Sequence, residues 1–331
     1  MAVNFDTAKG LERLAMMERI RAFEMTAKRA AVDEQLVLGA IHLCIGQEAV
    51  AAGVIEPLQR DDYITSTHRG HGHTLAKGTD ATAMMKELLG RAGGCCMGKG
   101  GSMHIADFGV GMLGANGVVS ANITIAAGAA HGVKLRGGHQ VVVCFFGDGA
   151  ANRGPFLEGI NWAGVFELPI LFVCEDNRYS ASTLTSDMTS GPGAGARAAS
   201  LGMPVHEIDG NDVTAVADAA HDIIERIRAT GKPEFMHALT YRIDGHTYFD
   251  QATYRPDGEA DTEASENCPI LRLRGALTQS GIELATLEAI RTDARDEMTL
   301  ALQEARVAAW PADKSVFADV QDIGSPMQEA F

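Results

Sequence analysis

Two apolar runs set the frame of this chain, Val141-Val142-Val143-Cys144-Phe145-Phe146 and Pro169-Ile170-Leu171-Phe172-Val173-Cys174, with a stretch of helical length and pattern between them. That order predicts two buried parallel strands joined by one crossover helix. Elsewhere the apolar spacing turns helical. Leu11, Leu14, Ala15, Met17, Ile20, Phe23 and Met25 mark an amphipathic helix over 7–31. Further helices are expected over 46–57, 80–90, 121–135, 213–229, 270–278 and 284–309, with 213–229 N-capped by Asp212. Strands are expected from Asp61 to Thr65, from Val205 to Ile208 and from Phe235 to Tyr241. Glycine-rich loops fall over 93–104 and 114–119. The polar, acidic stretch 251–267 lacks periodicity and reads as a mobile loop, and the segment from Trp310 onward as an extended tail that packs on a partner. The fold class is therefore α/β, a parallel sheet with flanking helices. Residues 1–331 form a single unit with an N-terminal helical arm and a C-terminal helical tail.

The chemistry collects at the ends of the two central strands. One run leads into Gly147-Asp148-Gly149 and the other into Glu175-Asp176-Asn177-Arg178-Tyr179. A right-handed crossover brings both ends to the same sheet edge, where open α/β sheets bind ligands. Asp148 and Asn177 are oxygen donors suited to a hard cation such as Mg²⁺, which keeps phosphate oxygens in its shell. The glycines permit close approach of a diphosphate, and the helix that follows turns its N-terminus toward the anion. The alternative is ordinary turn chemistry, since Gly-Asp-Gly and Asn are common in turns.

Composition narrows the class. Hydrophobic residues make up 46% of the 331, aromatics only 6%, and Gly reaches 37, which fits a large globular α/β protein with many turns. A formal charge of −15 with no basic cluster argues against a nucleic-acid surface, and means that a bound diphosphate needs a metal and local Arg or Lys groups. The six cysteines show no C-x-x-C spacing, so a reducing compartment is the simplest reading. Neither a targeting peptide nor a membrane span is apparent, and the expected location is cytoplasmic. His68, His71 and His73 are spaced as a cluster, but the nearby sequence offers no Cys or carboxylate to complete a zinc site.

From Gly149, 26 residues precede Asp176-Asn177, and this resembles the thiamin diphosphate motif, in which Gly-Asp-Gly leads over a similar distance to a pair that is usually Asn-Asn. Asp176 is the departure. Further stretches extend the resemblance from about Leu11 to Ala309. They are His42-Leu43-Cys44-Ile45-Gly46-Gln47-Glu48-Ala49, Gly98-Lys99-Gly100-Gly101-Ser102-Met103-His104, Gly114-Ala115-Asn116-Gly117-Val118-Val119 and Ala238-Leu239-Thr240-Tyr241-Arg242-Ile243-Asp244-Gly245-His246. Together they resemble the alpha subunit of a thiamin-dependent 2-oxo acid dehydrogenase, pyruvate or acetoin dehydrogenase type, the decarboxylating component. Thr67 to His73 and Gly111 to Gly117 lean toward the acetoin branch.

The resemblance implies a transketolase-like diphosphate domain with thiamin diphosphate and Mg²⁺ as cofactors. It assigns the metal to Asp148, Asn177 and the Tyr179 carbonyl. It implies further cofactor contacts from His68, Arg69, Gly117, Val119, Gly147, Gly149, Ala150 and His246, and places His71 and His246 at the reaction end as catalytic groups. The chemistry implied is attack on a 2-oxo acid or acetoin, formation of an enamine and transfer of the acyl group to a lipoyl acyltransferase component. The glutamate that activates the cofactor comes from a beta subunit in such two-subunit enzymes, so an α₂β₂ heterotetramer is expected. Ser120-Ala121-Asn122-Ile123-Thr124-Ile125 and Ser180-Ala181-Ser182-Thr183 depart from the pyruvate pattern near the substrate entrance. A split transketolase-type ketol transferase and a non-catalytic scaffold subunit are the alternatives.

Overall fold

Strands that are apolar on both faces need cover on both sides, and this chain supplies it with helices. The computed structural model describes residues 6–318. Its strands are β1 (Tyr63–Thr67), β2 (Met112–Asn116), β3 (Val142–Gly147), β4 (Ile170–Asp176), β5 (Tyr179–Ser180), β6 (Thr183–Leu184), β7 (Val205–Asp209) and β8 (Glu234–Leu239). Six form one sheet in the order β2-β1-β3-β4-β8-β7, with every pairing parallel, while β5 and β6 make a short antiparallel ladder. The helices are α1 (Thr7–Val32), α2 (Glu48–Ile55), α3 (His71–Lys77), α4 (Ala81–Leu88), α5 (Ala121–Leu135) and α6 (Gly154–Val165). They continue with α7 (Thr185–Met188), α8 (Ala194–Ala199), α9 (Val213–Thr230), α10 (Glu259–Glu266), α11 (Pro269–Gln279) and α12 (Leu284–Val307). No described helix is long and apolar enough to cross a membrane.

The period of two in the central strands sorts the core. Val142, Cys144, Phe146, Ile170, Phe172 and Cys174 pack with Ile123 and Ala126 of α5 and Phe156 and Ile160 of α6. Their neighbours Val141, Val143, Phe145, Leu171 and Val173 pack with Val50 and Val54 of α2 and Val216 and Ile223 of α9. Full burial of each such side chain is worth roughly 1.5–3 kcal/mol, which holds both helix layers to the sheet. α1, α4 and α12 form a separate apolar cluster around Phe23, Met84 and Met298. The chain leaves β1 for β2 on one side and returns to β3 on the other. The strand order therefore reverses between β1 and β3, and a crevice opens there at the carboxyl ends.

Several expectations need correction. The loop 114–119 begins inside β2, an edge strand whose Gly, Ala and Asn have poor strand propensity and which exists through its ladder to β1. The segment after β1, to which no element was assigned, coils into α3, whose His71, Gly72, His73, Thr74 and Leu75 are buried and whose end is closed by Gly78 in the left-handed region. The stretch 251–267 contains α10, and Arg255 pins the preceding turn by donating to the carbonyls of Arg242 (2.7 Å), Ile243 (2.8 Å) and Asp244 (2.9 Å). After Gly147 the chain makes a 3-10 turn over Asp148–Asn152 before α6, so no α-helix N-terminus follows the Gly-Asp-Gly turn directly. The start of the C-terminal tail packs on its own chain: Arg91 lies 3.6 Å over the Trp310 ring. The tail continues into a 3-10 turn over Asp313–Phe317, and residues 319–331 fall outside the described residues.

Candidate active site

At the crevice the loops after β1, β3 and β4 converge on a cavity of about 220 Å³. His68, Arg69, Gly117, Val119, Gly147, Asp148, Gly149, Ala150, Asn177, Tyr179 and His246, the positions that the resemblance names, all line it. His71 does not. It is fully buried behind the wall, with Nδ1 2.8 Å from Glu24 and Nε2 2.9 Å from the Ser102 hydroxyl. His71 does not face the cavity, and its ring ties α1 to the loop that carries Met103, a cavity residue. The three histidines expected as a cluster also separate. His73 bonds the Ser66 hydroxyl (2.8 Å) and stacks on Phe145, while only His68 faces the cavity.

Asp148 sits at the end of β3 and is 3% exposed. Burial, with Asp176 nearby adding to it, raises its pKa from 3.8 to about 6, and the Thr185 hydroxyl donates to its carboxylate. Asn177 donates its amide to Gln47 Oε1 (3.0 Å), which leaves Oδ1, accepting from the Tyr179 N–H at 3.3 Å, as its oxygen donor. Gln47 reaches this position because Gly46 turns with φ +98°; a Cβ there would lie 2.4 Å from the Tyr241 carbonyl. Asp176, the departure from Asn-Asn, points away to His237 Nε2 at 3.0 Å. Asp148 and Asn177 thus present two oxygen donors with no competing carboxylate from Asp176.

Two guanidiniums complete the floor. Arg69 donates to the Leu43 carbonyl (2.5 Å) and the His246 carbonyl (3.2 Å). Arg242 donates to the Ala181 carbonyl and the Tyr254 hydroxyl, both at 2.8 Å, and lies 3.4 Å from the Tyr179 carbonyl. Among the described residues neither bonds a carboxylate. Burial first, and Arg242 second, lowers the Arg69 pKa to about 10. Two buried guanidiniums with no carboxylate hydrogen-bonded to them leave donors that can meet a polyanion. Buried polar atoms without partners at the same cavity, His42 Nδ1, Gln47 Nε2 and Ser120 Oγ, fit a ligand with several polar groups.

At the other end His42, His68 and His246 meet edge to face, with ring centroids 4.5, 4.8 and 5.5 Å apart. Burial, reinforced by Arg69, lowers their pKa values to about 3, about 2 and about 4, so all three are neutral at pH 7. Neutral imidazoles can accept or donate a hydrogen bond without adding charge. Gln47, Arg242 and His42 were missed as individual site residues. All three lie inside the stretches that carry the family resemblance, but only the fold brings them to the cavity.

The family described as Dehydrogenase E1 component matches residues 15–312 of the chain. The alpha subunit of acetoin:2,6-dichlorophenolindophenol oxidoreductase from Cupriavidus necator is 43% identical over 311 residues, covering 92% of this chain and 91% of that protein. The subunit of the same name from Bacillus subtilis is 40% identical over 312 residues, covering 94% and 93%. The pyruvate dehydrogenase E1 component subunit alpha of Rhizobium meliloti is 38% identical over 277 residues, covering 84% and 79%.

Proposed function

The chain belongs to the dehydrogenase E1 component family, and from that premise we propose that it is the alpha subunit of a thiamin diphosphate-dependent dehydrogenase that acts on acetoin. Two relatives named for acetoin, at 43% and 40% identity, favour that substrate over a 2-oxo acid such as pyruvate. The observation that carries the cofactor reading is the buried pair Arg69 and Arg242 without carboxylate partners, set beside Asp148 and Asn177. Thiamin diphosphate supplies an electron sink for cleavage next to a carbonyl. The residues of this chain bind and orient it.

In this reading Asp148, Asn177 and the Tyr179 carbonyl hold Mg²⁺, which neutralises the diphosphate together with Arg69 and Arg242. Gly149 and Ala150 approach the diphosphate through backbone amides, and Gly147 leaves the strand end open. Gly117 and Val119 offer backbone groups to the aminopyrimidine. His246, with His42 and His68, lines the reaction end and exchanges hydrogen bonds with the substrate oxygen. A beta subunit supplies the activating carboxylate in an α₂β₂ assembly, and a lipoyl acyltransferase component accepts the acyl group. Cytoplasmic location belongs to the same reading and is supported by six free cysteines.

The test is reconstitution with a beta subunit and measurement of 2,6-dichlorophenolindophenol reduction with acetoin or pyruvate, with and without thiamin diphosphate and Mg²⁺. Cofactor-dependent turnover that prefers acetoin is expected. Ketol transfer between sugar phosphates in place of dye reduction would overturn the reading.

A further inference from the structure

Beside the cavity, the loop that carries Ser102 and Met103 is organised around one buried carboxylate. Glu87 is fully buried, and its Oε2 accepts from the backbone N–H groups of Cys96 and Gly98 at 2.8 Å each. Its Oε1 accepts from Gly100 (2.7 Å) and Gly101 (3.1 Å). Cys96 closes the same loop from its other side: its sulfur accepts from the Ala106 N–H at 2.9 Å and lies 3.3 Å from the Ala106 carbonyl. The thiol therefore buckles the start of the segment 96–106 to its end. The middle of that segment holds Ser102 against His71 and Met103 in the cavity wall.

Cys95 stands next to this buckle. Both cysteines are free and half-buried, and their sulfurs lie within 4.8 Å of each other and of a Glu87 oxygen. The Glu87 oxygens are occupied by four backbone donors, which leaves the two sulfurs as the available ligands. Adjacent Cα atoms are about 3.8 Å apart, below the roughly 4.4–6.8 Å span of unstrained disulfides, so the pair is favoured as a dithiol. The neighbouring Cys95 thiol lowers the pKa of Cys96, which makes Cys96 the better nucleophile of the two.

We propose that Cys95 and Cys96 form a chelating dithiol site for a thiophile that bridges two sulfurs through one atom, a trivalent arsenical being the type, and that its capture opens the loop 96–106 and disables the neighbouring active site. With an organoarsenic oxide, two As–S bonds form and the arsenic–oxygen bond is lost. The two thiol protons leave with that oxygen as water, and arsenic stays trivalent. Capture takes the Cys96 sulfur away from Ala106 and so unfastens the buckle.

The loss of activity rests on the proposed function, whereas capture and loop opening do not, so three readouts are taken on the subunit reconstituted with its beta partner. Phenylarsine oxide is the probe and the dye is the electron acceptor, so that no lipoyl dithiol is present. Intact mass should show one arsenical on each alpha chain, removed by a dithiol and retained in a monothiol. Hydrogen exchange should accelerate over residues 97–106, and dye reduction should fall by at least about tenfold. Cys95→Ser should keep its activity and resist the reagent. Absence of capture, or undiminished capture by Cys95→Ser, would overturn the site. Capture with unchanged exchange over 97–106 would overturn the coupling. If the reconstituted protein lacks turnover, that failure falls on the function, and mass and exchange still decide the site.

Discussion

For Asp148, burial raises the pKa from 3.8 to about 6, so the folded chain holds a proton there that the unfolded chain has released. A raised carboxylate pKa costs stability as pH climbs through that window. The cost is absent below about 3.8 and complete above about 6. Asp148→Asn should therefore stabilise the cofactor-free chain at pH 7 by ~1–3 kcal/mol while abolishing Mg²⁺-dependent cofactor binding. Thermal melts of both forms, with cofactor titrations, check this; a lower melting temperature for the variant would contradict it. In the wild type, Mg²⁺ affinity should weaken as pH drops below about 6, where a proton competes for the same oxygens. His246 divides its roles differently. Its carbonyl, not its ring, holds Arg69, so removing the ring leaves that anchor in place. His246→Ala should keep cofactor affinity within about tenfold, or ~1.4 kcal/mol, while transfer to the lipoyl acceptor falls much further. Unchanged lipoyl reduction in this variant would remove His246 from the catalytic residues.

Helix packing sets which glycines can change. Gly53 lies in α2 where that helix crosses α9, and a Cβ there would sit 2.8 Å from Val216 Cγ1 and 3.0 Å from the Ala217 nitrogen. Helix propensity favours Ala by ~1 kcal/mol, but overpacking against backbone costs ~1–3 kcal/mol. Gly53→Ala should therefore destabilise the purified subunit. Gly128 of α5 meets nothing within 4 Å, so there propensity acts alone and Gly128→Ala should stabilise by ~0.5–1 kcal/mol. Paired denaturant unfolding curves read both, and matching signs would sink the argument. The long helices and the two central strands were legible from periodicity because each buries a continuous face. β2 and α3 were not, since Met112-Leu113-Gly114-Ala115-Asn116 and His71-Gly72-His73 carry weak local preference and take their form from what packs around them.

Over the whole molecule, the cavity is finished on one side and unfinished on the other. Val118 and Val119 stand 64% and 45% exposed at the rim. The carboxylates that line the cavity, Asp148 and Glu175, come from the ends of β3 and β4, whereas Gly117 and Val119 follow β2. Expressed alone, the chain should show no substantial decarboxylation or acetoin cleavage, and a beta subunit carrying the missing carboxylate should restore it. Full turnover by the lone polypeptide would refute that account. The partner should also cover the exposed valines, and protection of residues 117–119 from hydrogen exchange on mixing would register it.

Spacing along the chain was enough to join Asp148 to Asn177, because two parallel strands with one crossover leave little choice about where their ends meet. It was also enough for the fold class, since strands apolar on both faces must be covered on both. Other relations cross long separations and needed the tertiary structure. Gln47 orients Asn177 across 130 positions, and the His246 carbonyl anchors Arg69 across 177. The family resemblance placed His71 at the reaction end. The fold turned it inward, because α3 forms where no helix was predicted and Glu24, 47 positions away, takes its Nδ1. Periodicity records which face of an element is buried, whereas the partner of a buried polar group is decided by which other element arrives there.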